Sequence, residues 1–355
     1  MKSISKKHSK KSRLDGLKKV FAIMMTVLIL LPQNASACSF FFFNTPQGNR
    51  IVGRTMEGPI RMDENIFIAP RNHNDFNGVT GPYGYVGIRH GETEWVSTGI
   101  NEHGLNVESL GLGANGGITN YLPAGEGDYN QQNLLPFILA NAKTVDEAIA
   151  LVKKTKVETS ELEVAHNIEV GLHFSITDLN KAIVIEYVDG SGYPVIYENK
   201  LGVMTNEPEY PVQEALASDV IGGESYDVAH AKYSDTEFRP FSRTSTGRFQ
   251  HLVSLNYVAD YTRVQNDFQA VNYAWSMLNT LDIPQGVLYW KWLDENPQMV
   301  GYSNVVDLKN KIYYVRSYDN QSIQQIDLKK IDFAKTEYKE VSIFDQANQY
   351  NEVAL

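Results

Sequence analysis

Residues 35–44 of this chain are Ala35-Ser36-Ala37-Cys38-Ser39-Phe40-Phe41-Phe42-Phe43-Asn44, and they contain its only cysteine. A basic segment opens the chain, and an apolar run of twelve residues, Val20 to Leu31, follows it. A charged region, a short apolar region and an A-x-A site form, in that order, a secretory signal peptide. Because the run is shorter than the roughly 20 residues of a membrane-spanning helix, the sequence predicts export and cleavage after Ala37. Cys38 would then be the first residue of the mature chain.

Three interpretations of Cys38 are open. It is an inert buried thiol, a lipid attachment site, or an N-terminal nucleophile activated by its own α-amine. The ordinary pKa of such an amine is about 7.7–8.0, which suits a base at neutral pH. A single cysteine cannot form an internal disulfide, and Ala35 stands where a lipoprotein signal carries a branched aliphatic residue. We favour the nucleophile.

The charge of the mature chain restricts its partners. Removal of residues 1–37 leaves 318 residues with 24 basic and 41 acidic side chains, a formal net charge of −17. This balance argues against nucleic acid and against anionic membrane surfaces as partners. It fits a soluble exported protein and says nothing of the fold.

The residues after Cys38 predict a hairpin. Ser39–Phe43 has the pattern of a buried strand, Thr45–Asn49 that of a turn, and Arg50–Arg54 that of a returning strand which Arg54 closes. Since paired strands lie about 4.7–4.9 Å apart, Arg54 and the nearby Glu57 would return close to Cys38. A surface Arg–Glu pair on a turn is the alternative.

Further along, short strands alternate with a smaller number of helices. The residues Gly111–Asn130 predict a long loop, either a binding loop or a disordered one. Helices are predicted at Leu134–Ala140, at Thr144–Lys154 with a capping box, near Thr246, and at Asn266–Leu281 with Phe268 among its buried residues, whereas Ala217–Ser242 predicts a polar excursion. Strands, then helices, then strands predict antiparallel sheets covered by helices.

No cofactor or metal is predicted. The eight histidines do not reach metal-ligand spacing. Neither a Walker-type phosphate loop nor a G-x-S-x-G elbow occurs. We therefore interpret the histidines as structural.

Five motifs occur in a fixed order along the chain. They are Cys38 at the signal cut, Val52-Gly53-Arg54-Thr55-Met56-Glu57, Gly99-Ile100-Asn101-Glu102-His103-Gly104-Leu105, Met204-Thr205-Asn206-Glu207-Pro208 and Gly247-Arg248-Phe249. Together they resemble the choloylglycine hydrolase and penicillin V acylase family of N-terminal-nucleophile hydrolases. The resemblance covers essentially the whole mature chain.

The resemblance implies an α+β fold, a four-layer αββα sandwich, over residues 38–355 as a single catalytic domain. It implies hydrolysis of a linear amide C–N bond through a thioester on Cys38. Arg54 would favour the thiolate, and Glu57 would hold the α-amine. Asn206 would help to bind the oxyanion, and Arg248 would add electrostatic support.

Two positions depart from the family pattern. Glu57 stands where the family has Asp, which lengthens the arm by one methylene group. The second oxyanion donor should fall near Gly111, which has no side chain, so either a backbone N–H or a neighbour such as Asn115 replaces it, or turnover is slower. We interpret Gly111 as a turn residue.

Three functions follow as hypotheses. The first is an exported N-acyl amide hydrolase that prefers penicillin V-like aromatic acyl groups or acyl-homoserine lactones to bile salts. The second is a lipid-anchored, non-catalytic binding protein with acylated Cys38, and the third is an inactive family member. The resemblance is compatible with a homotetramer, and the predicted location is the periplasm or the exterior.

Overall fold

A computed structural model describes residues 37–58, 63–74, 78–91, 93, 95–114, 118–161, 170–221, 241–290 and 296–344. The chain from Ala35 to Leu355 forms one compact unit. Apart from Ala37, the predicted export signal, residues 1–37, lies outside the described residues. Its removal and the boundary at Cys38 therefore stay predictions.

The N-terminal hairpin is present. Strand β1 (Ala37–Asn44) pairs antiparallel with β2 (Arg50–Gly58), and Cys38 lies opposite Met56. In the turn between them, Gly48 has a φ of 74°, which glycine adopts without steric cost. The expectation that this second strand closes at Arg54 is wrong. Strand β2 continues to Gly58 because it pairs with β1 on one side and with β14 (Asn296–Asp307) on the other.

Two antiparallel sheets contain most of the strands. Besides β1 and β2, the described strands are β3 (Glu64–Ala69), β4 (Tyr85–His90), β5 (Val96–Asn101), β6 (Asn106–Ala114), β7 (Tyr129–Asn130), β8 (Val157–Glu158), β9 (Val170–Thr177), β10 (Ala182–Glu186), β11 (Val195–Glu198), β12 (Val203–Met204), β13 (Leu288–Trp290), β14 (Asn296–Asp307), β15 (Ile312–Ser317), β16 (Gln324–Asp327) and β17 (Lys339–Ser342). In the described residues, the first sheet has the order β12-β1-β2-β14-β15-β16, with β13 paired to β14, and the second has the order β11-β10-β9-β6-β5-β4-β3-β17. A short parallel pair, β7–β8, lies outside both sheets.

Helices cover the outer faces of the two sheets. The described α-helices are α1 (Leu134–Asn141), α2 (Val145–Val152), α3 (Tyr210–Ile221), α4 (Ser245–Val258) and α5 (Asp267–Asn279). Helices α4 and α5 pack on the first sheet, and α1 and α2 on the second. The inner faces of the sheets meet, since Arg54 of β2 donates to the carbonyl of Ser109 in β6. The predicted αββα sandwich is confirmed.

Several predicted elements hold with small shifts. The helix at Leu134 begins as expected. Thr144 caps the next helix by accepting from the backbone N–H of Glu147. The carboxylate of Glu147 completes the cap one residue earlier than expected, because it accepts from the N–H of Lys143.

The predicted loop Gly111–Asn130 is wrong at both ends. Residues 111–114 belong to β6, and Tyr129 and Asn130 form β7. Gly111 is therefore a strand residue opposite Leu172, and its interpretation as a turn residue is wrong. The β6–β9 register shifts between Gly111 and Ala114, where Gly113 has a φ of 80°.

Two helices differ from expectation. The sequence did not predict α3, whose last residues fall in the segment interpreted as a polar excursion; residues 222–240 of that segment lie outside the described residues. Phe268, expected in the core, is 74% exposed. Asp267 ties the first turn of α5 to Asn49 and Asn310, and burial in this helix begins only at Ala270.

In the described part of the chain, no helix is long and apolar enough to cross a bilayer.

Candidate active site

Hydrogen bonds hold both the backbone nitrogen and the carbonyl oxygen of Cys38. Its backbone nitrogen donates to Oδ1 of Asn206 at 2.7 Å, and its carbonyl oxygen accepts from Nη1 of Arg248 at 2.5 Å. The residue is 4% exposed, and its Sγ lies 3.4 Å from Sδ of Met56, directly opposite on β2. The thiol therefore faces the inner side of the first sheet.

Asn206 is held by both ends of its side-chain amide. Oδ1 accepts from Cys38 and from Nη2 of Arg248 at 2.9 Å, while Nδ2 donates to the carbonyl of Gly111 at 2.8 Å. Because donors face the oxygen and an acceptor faces the nitrogen, this amide orientation satisfies every partner. Nδ2 carries two hydrogens, and the carbonyl of Gly111 takes one of them.

A buried histidine–glutamate pair holds the residue before Asn206. His173 on β9 lies 3.1 Å from Oε1 of Glu186 through Nδ1 and 2.7 Å from the carbonyl oxygen of Thr205 through Nε2. The carbonyl of Asn206 itself accepts from Nε2 of Gln213 on α3 at 2.6 Å. The structural interpretation of the histidines holds for His173. Gln213 was not predicted, because it lies on the helix that the sequence analysis missed.

Arg248 lies in the first turn of α4, where Thr244 caps the helix by accepting from Gly247. It is fully buried. Besides Cys38 and Asn206, its guanidinium binds Oγ of Ser39 at 2.7 Å and lies 3.9 Å from Oε1 of Glu57. One side chain thus joins the start of β1 to the loop that follows β12.

Arg54 lies between the two sheets and is also fully buried. Nη1 donates to the phenol of Tyr302, and Nη2 donates to the carbonyl of Ser109 at 3.1 Å. Nη2 also lies 3.6 Å from Sδ of Met56, the atom that Sγ of Cys38 contacts. Its Nε faces Oε2 of Glu108 at 3.5 Å. The sequence analysis did not single out Glu108, because its partner Arg54 comes from the opposite sheet.

Glu57 is buried on the opposite face of β2 from Arg54. Oε1 accepts from Oγ1 of Thr55 at 3.1 Å, and Nε2 of Gln298 lies 3.4 Å from Oε2. Burial raises the pKa of the Glu57 carboxyl, and the charge of Arg248 opposes that rise. Glu57 lies opposite Ala37 in the hairpin register, beside the bond that signal cleavage would break.

Three charged groups act on the Cys38 thiol. Burial raises the pKa of the thiol, which disfavours the thiolate. The positive charge of Arg54 and a hydrogen bond from the backbone N–H of Glu57 lower the pKa of the thiol. The carboxylate of Glu57 raises this pKa, and the charge of Arg248 lowers it. In the folded chain, Arg54, the backbone N–H of Glu57 and Arg248 are the groups that favour the thiolate against burial.

The structure brings together all five residues that the sequence singled out: Cys38, Arg54, Glu57, Asn206 and Arg248. The contacts above join each of them to Cys38, directly or through one intermediate residue. Gly111 is in the site through its carbonyl. Asn115, the suggested replacement donor, lies outside the described residues. The catalytic roles of these residues stay predictions. In the described residues, no cluster of three or more His, Cys, Asp or Glu side chains could hold a metal ion.

Comparison with known proteins places this arrangement in a family. Residues 38–343 match the model of the linear amide C–N hydrolases, choloylglycine hydrolase family. The chain belongs to this family. It is therefore an amidohydrolase that acts on linear amide C–N bonds, as the motif order predicted.

The relatives have two kinds of names. The chain is 24% identical over 327 residues to a bile salt hydrolase/transferase of Clostridium perfringens, covering 85% of this chain and 95% of that protein. It is 26% identical over 336 residues to a penicillin V acylase of Pectobacterium atrosepticum, covering 89% of this chain and 87% of that protein.

Solved structures agree in fold. A variant of the conjugated bile acid hydrolase from Clostridium perfringens superposes with a TM-score of 0.72 at 22% identity, covering 89% of this chain and all of that one. The penicillin V acylase from Agrobacterium tumefaciens superposes with a TM-score of 0.69 at 21% identity, covering 87% of this chain and 93% of that one. At this identity the likeness concerns the fold.

Proposed function

We propose that this chain is an exported N-terminal-nucleophile hydrolase that cleaves an N-acyl amide through a thioester on Cys38. The observation that carries the proposal is the clamp on Cys38, whose nitrogen is held by Asn206 and whose carbonyl is held by Arg248. The clamp fixes the thiol and the backbone nitrogen of one residue in a buried site, as a nucleophile with its own amine as base requires.

Processing would create the base. In the uncut chain the nitrogen of Cys38 is an amide, which has no basic lone pair. Cleavage after Ala37 would convert it into an amine with an ordinary pKa of about 7.7–8.0. In support, the family match begins at residue 38, and a secretory signal pattern precedes this residue. The proposed location is the periplasm or the exterior.

The chemistry then follows in two halves. Sγ of Cys38 attacks the amide carbonyl carbon, and its proton passes to the α-amine. When the C–N bond breaks, that proton leaves with the amine product and a thioester remains on sulfur. Water attacks the thioester with the α-amine as base; a C–O bond forms, the C–S bond breaks, and the proton returns to sulfur as the acid departs.

Asn206 is the proposed oxyanion donor. Its second Nδ2 hydrogen is not used by Gly111, and the side chain is held in place before substrate arrives. A preorganised donor of this kind contributes about 3–4 kcal/mol to transition-state binding. Arg54 is proposed to favour the thiolate, and Glu57 to hold the ammonium form of the amine after processing.

For the substrate we propose an N-acyl amide with an aromatic acyl group, as in penicillin V, or an acyl-homoserine lactone, in preference to a bile salt. This order rests on the resemblance to exported family members. The names of the relatives include both penicillin V acylase and bile salt hydrolase, so the family alone does not choose between them.

The test is a hydrolysis screen with the processed chain. Penicillin V, a series of acyl-homoserine lactones and glycocholate are incubated with protein whose first residue is shown by mass to be Cys38, and release of a primary amine is measured. Cys38→Ala, purified in the same way, supplies the background. Amine release from the first two classes above that background is expected, and no release from any of the three would contradict the proposal.

Intact mass separates the hydrolase from the lipid-anchored alternative. A mature chain that begins with unmodified Cys38 fits the hydrolase, whereas an added diacylglyceryl group would exclude it. The homotetramer suggested by the resemblance is a proposal as well, and light scattering on the purified chain measures it.

A further inference from the structure

Glu108 is a buried carboxylate that faces Arg54. It lies on β6, in the sheet opposite Cys38, and its side chain is fully buried. Oε2 lies 3.5 Å from Nε of Arg54, and neither atom has a hydrogen-bond partner in the described structure. The interaction between these two atoms is therefore electrostatic, without a hydrogen bond. The other four donor hydrogens of Arg54 belong to Nη1 and Nη2, which face Tyr302, Ser109 and Met56.

The other oxygen of Glu108 is fixed by three neighbours. Oε1 accepts from Oγ1 of Thr98 at 2.8 Å and from Nδ2 of Asn106 at 2.9 Å, with Nδ2 of Asn304 at 3.4 Å. These partners come from β5, β6 and β14, so both sheets hold the carboxylate. A carboxylate bound in this way cannot turn away from Arg54 without losing hydrogen bonds in a dry interior, which is costly.

The four buried charges around Cys38 form two pairs. Arg54 faces Glu108 across the sandwich interior, and Arg248 faces Glu57 on the helix side of the first sheet. Of the two carboxylates, only Glu57 has a proposed role in the reaction. Glu108 must therefore act on Cys38, if at all, through the arginine that it faces.

We propose that Glu108 is a positioning residue that holds Arg54 as its counter-ion and limits the positive charge that Arg54 places on the Cys38 thiol. The inference rests on the proposed role of Arg54, but its test needs no substrate. Failure to hydrolyse any amide would count against the proposed function and leave this inference standing.

Other charged and titratable groups lie around the Arg54–Glu108 pair and the Cys38 thiol. Arg54, Glu57 and Arg248 act on the thiol, and Tyr302 and Tyr313 face Glu108 and Arg54. His90 is near Arg54, and burial, followed by the charge of Arg54, lowers its pKa well below the usual range, so it is neutral. Burial raises the pKa of Glu108 to about 7, so its carboxyl becomes mostly ionised as the pH rises well above that value. A comparison above that pH therefore tests its charge.

The experiment follows alkylation of Cys38 by iodoacetamide against pH from 7.5 upward. Because the chain has a single cysteine, every alkylation event reports on this thiol. Glu108→Gln removes the charge and keeps the volume. Since Tyr302, Ser109 and Met56 still hold Arg54, we expect the midpoint to move acid by about one unit, which makes alkylation up to about tenfold faster at low pH.

Two controls separate charge from structure. Thr98→Val removes one hydrogen bond that lowers the pKa of Glu108. It is therefore compared with wild type only well above pH 7, where Glu108 keeps its charge and the midpoint should stay in place. In an Arg54→Leu background, Glu108→Gln should no longer move the midpoint, since a residue that acts through another shows a non-additive effect. An acid shift of equal size in that background would mean that Glu108 acts directly on the thiol, and would overturn the inference.

Loss of a buried charge partner can prevent folding. Should Glu108→Gln fail to fold, Glu108→Asp is measured by the same assay; it keeps the charge but withdraws it by one methylene group, so a smaller acid shift is expected. An unchanged or alkaline midpoint in either folded variant would overturn the proposal.

Discussion

Oδ1 of Asn206 lies 2.7 Å from the backbone nitrogen of Cys38, although 168 residues separate them in the chain. The bond ties the loop after β12 to the first residues of β1, where the nucleophile is proposed. It also orients Asn206 so that Nδ2 points away from the nitrogen of Cys38 and towards β6. One side chain therefore sets the position of both the proposed base and the proposed oxyanion donor.

The first prediction concerns Asn206. Asn206→Asp keeps an oxygen for Cys38 and Arg248 but removes the Nδ2 donor, so we expect kcat to fall by about 10²–10³-fold. Asn256→Ala is the control. Its Nδ2 also binds a carbonyl of β1, that of Phe42 at 3.1 Å, at the opposite end of the strand. Activity within about twofold of wild type is expected there, and an equal loss in both variants would contradict a specific role for Asn206.

The second prediction concerns the nucleophile. Cys38→Ser should lower turnover by at least about a hundredfold, because a hydroxyl is a poorer nucleophile than a thiol when the base is a weak amine. The variant should keep the fold, since a serine hydroxyl fits the same space beside Met56. Circular dichroism and amine release are measured together. Near-wild-type activity would remove Cys38 from the mechanism.

The third prediction concerns processing. Ala37→Phe should block cleavage and leave an inactive chain, because the nitrogen of Cys38 stays an amide that donates to Asn206. Intact mass shows whether the signal is still attached, and amine release gives the activity. Activity in a chain shown to be uncut would contradict the proposed α-amine base.

The fourth prediction uses the charges on the thiol. Arg54 lowers the pKa of Cys38 and the carboxylate of Glu57 raises it, while the backbone N–H of Glu57 stays in any variant. Arg54→Leu should therefore move the alkylation midpoint alkaline by about one unit, or about 1.4 kcal/mol, and Glu57→Gln should move it acid.

Glu102→Gln serves as control for that pair. It breaks the surface ion pair with Arg71, whose side chain is 45% exposed, and exposed pairs contribute only about 0–1 kcal/mol. If folded wild type, Arg54→Leu and Glu57→Gln all give the same alkylation curve as Glu102→Gln, neither Arg54 nor Glu57 acts on the thiol.

The fifth prediction concerns stability and pH. Burial raises the pKa of Glu108 to about 7, against the opposing charge of Arg54, whereas in the unfolded chain it is about 4.3. The folded state binds this proton more tightly, so the contribution of Glu108 to stability is fully present below about pH 4 and is lost as the pH rises through 7.

The loss should be on the order of 3 kcal/mol. Glu108→Gln is neutral at every pH, so its free energy of unfolding should vary less between pH 4.5 and 7.5 than that of wild type. Urea unfolding at several pH values measures both slopes. Parallel curves would show that Glu108 is already ionised over this range in the folded protein, and would contradict the raised pKa.

The sequence by itself determined the local features. The run Ser39–Phe43, the turn at Gly48 and the strand from Arg50 predicted the hairpin, because alternation and turn residues act between near neighbours. Thr144 and Asn266 predicted two helix starts for the same reason, since a cap bonds to its own first turn. The motif order predicted the family, and with it the sandwich.

Only the tertiary structure decided what lies around Cys38. Strand β2 extends past Arg54 because β14, more than 240 residues away, supplies a second row of hydrogen bonds. Glu108 could not be found in the sequence, because its meaning depends on Arg54 reaching it from the opposite sheet. Local pattern fixes the conformation of a segment, but the charge on a buried group is set by residues that the fold brings to it, and these come from any part of the chain.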